Sequence, residues 1–193
     1  MGRGAPTPVV FRCVNLYLRL LTTVLRGRFL PRLSPWHTSV KPMRVLPNDL
    51  DLLGHMNNGR YPTVLDLGRI EQMYRSRIRQ ETRAHGAYFV VAALTINYRR
   101  SLLPWQRYEI RTRFLGATKY GTFVEQVFVG VGDHDGEVYA HAVVQLRALK
   151  KNGGSLSDAE LAEIFGPAPD DRVVPEWVIR WAEDNREAAK VAR

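Results

Sequence analysis

The 193-residue sequence contains a single cysteine, Cys13. That excludes an intramolecular disulfide and a multi-cysteine metal site, and it fits a reducing compartment, so a cytoplasmic protein is expected. Long apolar runs are also missing. The best stretch begins at Val9 and runs toward Leu25, but Arg12 and Arg19 interrupt it, which makes it a poor bilayer span. It lacks a small-residue cleavage site before the next proline, so it does not read as a cleaved secretory signal. There is no glycine-rich phosphate loop of the Walker or Rossmann type. There is no His/Cys spacing suited to a metal, and no Gly-x-Ser-x-Gly nucleophile elbow. The expected chemistry therefore uses no metal and no redox cofactor. No internal repeat is evident.

What is present suits one domain with helices appended at both ends. Hydrophobic residues make up 45% of the chain, enough to bury a core. The formal net charge of +9 attracts polyanions, whether nucleic acid, anionic lipid or a phosphate-bearing ligand. A nucleic-acid partner is not expected, because the basic residues are spread along the chain and no reader motif accompanies them.

Three segments are predicted. Residues 1–35 hold a Gly/Pro-rich start, a helix over 9–26 and a linker, Arg26-Gly-Arg-Phe-Leu-Pro-Arg32, broken by Gly27 and Pro31. In the helix, Arg12, Asn15, Arg19, Thr22 and Arg26 recur three or four residues apart as one polar stripe, and apolar residues fill the rest. Two readings stand side by side. The helix packs on its own domain, or it lies on a membrane surface with its arginines against anionic headgroups, making the protein peripheral through residues 9–26.

Residues 36–150 form the predicted central domain. Trp36 to Leu46 reads as a first strand, followed by a turn at Pro47-Asn48-Asp49. A helix should begin after Asn57-Asn58, since Asn is a good N-cap, and run to a stop at His85-Gly86. Everything from Ala87 to Lys150 reads as strand. Tyr88 to Tyr98 is apolar and almost uncharged, which predicts a central strand buried on both faces. Arg107 to Leu115 alternates Tyr108, Ile110, Thr112 and Phe114 against charged neighbours. Thr122–Val131 and Glu137–Leu149 are joined by a hairpin loop, Gly132-Asp-His-Asp-Gly136. The resulting fold class is α+β: an antiparallel sheet packed on one long helix. Residues 151–193 add peripheral helices. Ser157 and Glu160 form a capping box, and Pro175 suits the first turn of a last helix carrying Trp177, Val178, Trp181 and Ala188 on one side.

The segment between first strand and helix concentrates the chemistry. It reads Asp49-Leu-Asp51-Leu-Leu-Gly54-His55-Met-Asn57-Asn58-Gly-Arg-Tyr61. A carboxylate just ahead of a helix N-terminus sits beside free backbone N–H groups. Such a carboxylate can activate water or attack a carbonyl while the N–H groups hold the oxyanion. The bland alternative is a turn stabilised by Asp49 and Asp51, with His55 structural and Asn57 and Asn58 as caps. Asp66 and Glu71 on the helix read as solvated charges, or as a second candidate acid.

This loop resembles the active-site loop of hotdog-fold thioesterases, close to the 4-hydroxybenzoyl-CoA thioesterase group. It is also similar to plant acyl-carrier-protein thioesterases, with their Asp-Leu-Asp and His-Val-Asn-Asn stretches. The fuller pattern, Val45-Leu-Pro-Asn-Asp-Leu-Asp51 with Asn57-Asn-Gly-Arg-Tyr61, is shared with a branch of that superfamily that has bacterial members. So is Asn97-Tyr-Arg-Arg-Ser-Leu-Leu-Pro-Trp-Gln-Arg-Tyr108. The similarity runs from Trp36 to Leu149. It implies a hotdog fold, a sheet wrapped around the long helix, and hydrolysis of an acyl-CoA thioester. By matching position it implies Asp51, the second Asp of the pair, as base or nucleophile, with His55 and Asn57 in the catalytic set. Leu53 stands where the plant enzymes carry an Asn, so their full set is not reproduced. Backbone N–H groups of Asn58 and Gly59 are the expected oxyanion donors. Tyr61, Arg99, Arg100 and Lys119 are the expected contacts to substrate and coenzyme A phosphates, with solvated strand ends as the alternative for the basic three. A homodimer or dimer of dimers is expected, because one sheet edge is left uncovered. An acyl- or lipid-binding hotdog module at a membrane, without turnover, is the other functional reading.

Overall fold

A computed structural model describes residues 10–191, with side chains from Leu16 onward. The expectations for residues 1–8 and for the side chains of Arg12, Cys13 and Asn15 lie outside those residues. Five strands form one antiparallel sheet: β1 (Ser39–Arg44), β2 (Ala87–Tyr98), β3 (Arg107–Thr118), β4 (Gly121–Gly130) and β5 (Val138–Lys150). Their order across the sheet is β1-β3-β4-β5-β2. Helix α1 spans Val10–Phe29, α2 Arg60–Arg75, α3 Ile78–Ala84, α4 Asp158–Phe165 and α5 Glu176–Val191. This is the hotdog arrangement, with α2 cradled by the sheet.

The alternation read in β3 decides how α2 is held. Tyr108, Ile110, Thr112 and Phe114 all face inward and are buried. Tyr108 and Ile110, with Phe128, Ala140 and Ala142, meet Tyr61, Val64 and Leu65 of α2 in the main core. Gly68 is the closest approach. A Cβ there would stand 2.9 Å from both Thr112 Oγ1 and Gln126 Nε2. A glycine inside a helix costs about 1 kcal/mol relative to alanine, and here it lets the helix seat on the sheet. Gln126 closes the polar account beneath it by donating to Leu65 O at 2.9 Å and accepting from Arg69 at 2.5 Å.

Four expectations are corrected. The long helix is two, because Arg77 adopts a left-handed conformation (φ 63°) and breaks it between α2 and α3. The residue capping α2 is Gly59, not an asparagine side chain. Strand β2 lies at the sheet edge rather than the centre, leaving Tyr88, Val91 and Tyr98 exposed. Its apolar composition marks an uncovered edge, not a strand buried between neighbours. Gly27 does not break α1, which continues to Phe29. It lies against α2, where a Cβ would come within 2.8 Å of Tyr74 Cβ.

The C-terminal helices follow the reading more closely. Ser157 Oγ accepts from Glu160 N while Glu160 Oε2 accepts from Ser157 N, which is the capping box of α4. Ile164 and Phe165 of α4 pack with Phe114, and Val178 and Ala182 of α5 cover Leu115, Phe123 and Val143.

Candidate active site

The two aspartates of the loop occupy opposite environments. A short turn over 47–49 sends Asp49 inward, where its side chain is wholly buried. Leu46 N–H donates to Asp49 Oδ2 at 2.9 Å. Arg19 of α1 clamps both oxygens, at 2.7 and 3.1 Å, and Arg60 at the start of α2 adds a contact at 3.3 Å. Asp49 is thus a saturated hub joining α1, the loop and α2. A buried carboxylate needs such partners, because an unpaired buried charge is very costly.

Asp51 is different. The chain from Leu50 to Met56 makes a small hairpin, in which Asp51 N–H donates to His55 O at 2.9 Å and Leu50 pairs with Met56. Asp51 keeps 27% of its side chain exposed. Its Oδ1 accepts from Leu53 N–H at 2.9 Å and from His55 N–H at 3.4 Å, and His55 Nδ1 lies 3.5 Å away. Those bonds aim the carboxylate and leave Oδ2 outside them. At the hairpin tip Leu52 and Leu53 stand in solvent.

Several contacts pin the hairpin to the fold. Met56 N–H donates to Leu102 O and Asn57 N–H to Asp49 O, both at 2.8 Å. Tyr98 OH, at the end of β2, donates to Asn58 O at 3.2 Å. Asn57 Oδ1 accepts from Gly59 N–H at 2.8 Å. Asn57 therefore holds the loop, and Gly59 N–H is engaged in this conformation. Tyr61 is 1% exposed, packed against Tyr98 and Phe128 at 5.0 and 4.8 Å. Burial, against the lowering effect of a hydrogen bond with the Leu102 backbone, pushes its phenol up to about 12. In this chain Tyr61 is packed beneath the loop.

The basic residues separate by position. Arg99 and Arg100 sit at the loop's end of the sheet, where the backbone N–H of each reaches Tyr139 O. Arg99 is exposed, and Arg100 pairs with Glu137 at 3.1 Å. Lys119 lies in the β3–β4 turn, at the far end of a 12-residue strand. A strand of that length spans about 35–40 Å at about 3.3 Å per residue, and the loop lies at its other end, where Val45 bonds to Trp105 and Gln106, so one protomer does not bring Lys119 to Asp51. Lys119 and Arg147 instead line a cavity of about 480 Å³ bordered by Ala92 and Ala93 of β2 and by α4 and α5. Of the other candidate acids, Glu71 is wholly buried and held by Lys41 Nζ at 2.9 Å, and Asp66 pairs with Arg69. Glu71 is therefore closed to solvent, while Asp66 stays open to it on the surface of α2. Among the described residues no cluster of His, Cys, Asp or Glu suits a metal.

Comparison with known proteins places the fold and the family. The family model described as the thioesterase-like superfamily matches residues 45–181. Protein THEM6 of Xenopus laevis is 35% identical over 149 residues, 77% of this chain and 69% of that protein. Among solved structures, YbaW of Escherichia coli, described as a probable thioesterase, superposes with a TM-score of 0.60 at 27% identity, covering 65% of this chain and 94% of that one. A 4-hydroxybenzoyl-CoA thioesterase mutant in complex with 4-hydroxybenzoyl-CoA shares the fold, with a TM-score of 0.57 at 11% identity, covering 67% of this chain and 99% of that one.

Proposed function

The chain belongs to the thioesterase-like superfamily, and on that premise we propose that it hydrolyses an acyl-CoA thioester with Asp51 as general base or nucleophile. The observation that carries the assignment is the contrast within the Asp-x-Asp pair. Asp49 is sealed and fully bonded, while Asp51 is aimed, solvent-reachable and just ahead of the N-terminus of α2. As base, Asp51 takes a proton from water as the water oxygen adds to the thioester carbonyl carbon. The C–S bond then breaks, and the proton passes to the departing thiolate. The oxyanion is held by Asn58 N–H. Gly59 N–H joins it once the Asn57 amide turns away. His55, at 3.5 Å, orients the carboxylate or the water.

The edge strand supplies the second half of the site. We propose that β2 pairs with β2 of a second copy around a two-fold axis. Antiparallel pairing sets the Tyr98 end of one strand beside the Ala87 end of the other. The Asp51 loop of one protomer then approaches the cavity bordered by Ala92, Ala93, Lys119 and Arg147 of its partner. The coenzyme A phosphates meet Lys119 of the partner, with Arg99 and Arg100 flanking the loop. Leu52 and Leu53, exposed in one chain, become covered.

The other reading, a hotdog module that holds an acyl ligand without turnover, rests on Leu53 standing where the plant enzymes carry an Asn. Free-thiol release from a panel of aliphatic and aromatic acyl-CoAs separates the two. Turnover of at least one substrate that is lost in Asp51→Asn supports hydrolysis. Tight binding with no thiol release across the panel establishes the binding module.

A further inference from the structure

Helix α1 is amphipathic in the reverse sense from most surface helices. Among the described side chains, Arg19 and Thr23 face the domain. Arg19, Thr23 and Gly27 recur at every fourth residue and form the inner row. Arg19 clamps buried Asp49, Thr23 is wholly buried, and Gly27 touches Tyr74. Arg26 stands 3.7 Å from buried Glu71. Arg19 is thus committed to a carboxylate of its own chain, and Arg26, 47% exposed, approaches another.

The opposite side carries an exposed apolar row. Tyr17, Leu21, Leu25 and Phe29 also recur at every fourth residue, on the opposite face, and Leu18 lies beside them. They are 46–84% exposed. A row of large side chains some 18 Å long, at 1.5 Å per residue, is an unusual thing to leave in water. The charge around it selects the occupant. No Asp or Glu stands before Asp49 in the sequence. Of the basic residues there, Arg19, Arg26 and Lys41 lie beside Asp49 or Glu71, while Arg28 and Arg32 stay exposed with no acid near them in sequence. Arg28 projects on the same outward side and is exposed. A second copy of α1 docked on this row would set these cations against one another with no acid on the helix to pair them. A surface that is apolar beneath and anionic above satisfies both features.

We propose that the row Tyr17–Leu21–Leu25–Phe29 lies in the interface of an anionic lipid bilayer, while Arg19 and Arg26 hold the helix to the domain. The protein then sits on the membrane as a rigid unit, with α1 as a floor rather than a tethered anchor. This proposal is independent of the thioesterase chemistry.

The test is flotation of the full chain with vesicles of phosphatidylcholine, with and without phosphatidylserine, beside the triple variant Leu21→Ser/Leu25→Ser/Phe29→Ser. None of these side chains touches the buried carboxylates, so the variant keeps the wild-type melting temperature. The full chain is expected to float with phosphatidylserine vesicles and about tenfold less without the anionic lipid. The variant's partitioning is expected to fall by about 100-fold or more, as three buried apolar side chains are lost. The proposal is overturned if the full chain stays unbound on anionic vesicles, or if the variant floats as well as the parent. It is also overturned if the parent ignores lipid and the variant instead sediments as a smaller oligomer, which would make a second copy the occupant.

Discussion

At the residue scale, one backbone turn places two chemically identical side chains in opposite environments, Asp49 sealed and Asp51 partly open to solvent. Asp51→Asn keeps the shape and the acceptor for Leu53 N–H but removes the anionic base. It is expected to lower acyl-CoA turnover by about 100- to 10,000-fold at an unchanged melting temperature. Near-wild-type turnover would remove Asp51 from the mechanism. Arg19→Met acts on the other aspartate. It strips two of the hydrogen bonds to Asp49 Oδ1 and Oδ2 and leaves Arg60 as the nearest cation. Breaking a buried pair costs about 3–5 kcal/mol, and with Arg60 still present the expected loss is about 2–3 kcal/mol, measured by denaturant unfolding. An unchanged midpoint would mean that Asp49 needs no partner from α1.

A second titratable cluster lies on the outer face of the sheet. Burial alone would raise the Glu125 carboxyl, but hydrogen bonds from His141, at 2.9 Å, and from Arg113 outweigh it and hold the group down at about 2. The unfolded chain, with its carboxyl near 4.5, binds the proton first. The stabilisation is therefore complete above about pH 4.5 and is lost as pH falls toward 2. Glu125→Gln should flatten the fall in melting temperature across that window. An identical acid profile for both proteins would show that the cluster contributes nothing to acid stability.

At the element scale, the sequence was informative where the signal is local. Alternation marks the inner face of β3 residue by residue, and the Ser157–Glu160 spacing produces the cap of α4 as read. The Asp-x-Asp loop was visible as a candidate site because its residues are contiguous. What escaped is pairwise and distant. Arg19 and Asp49 are 30 residues apart, and nothing in either segment announces the other, so the arginine stripe was open to a headgroup reading. The break at Arg77 follows from how α3 packs, since arginine carries no intrinsic preference for positive φ. Edge and centre also differ only by which strands pair. Strand β2 was read as buried because composition registers that an apolar surface will be covered, not whether its own chain covers it. That ambiguity yields a prediction. Val91→Lys, on the exposed edge, places like charges near each other across a two-fold β2 pair and is expected to convert a sedimenting dimer to monomer. A protein that is monomeric before the change, or dimeric after it, would show that β2 is not the pairing edge.

At the scale of the whole molecule, the distance between Asp51 and Lys119 becomes the central fact. If both serve one substrate, they must come from different protomers, since one β3 strand separates them by tens of ångströms. This can be tested without a structure of the assembly. Asp51→Asn removes the base from both sites of a homodimer, and Lys119→Ala together with Arg147→Ala removes the phosphate contacts from both. Each parent is therefore expected to be weak. When the two are unfolded together and refolded, random pairing makes about half of the dimers mixed. In a mixed dimer, one site combines the intact Asp51 of one chain with the intact Lys119 and Arg147 of the other, and its second site carries both defects. About a quarter of wild-type activity should therefore return at saturating substrate. A site contained within one protomer gives no such recovery, because every site in the mixture then retains a defect. Recovery separates these cases only if mixing is real, so one parent carries an affinity tag and the mixed dimer is isolated before assay. If the isolated mixed dimer is no more active than its parents, the shared-interface site is wrong, and the cavity beside Lys119 belongs to some other ligand.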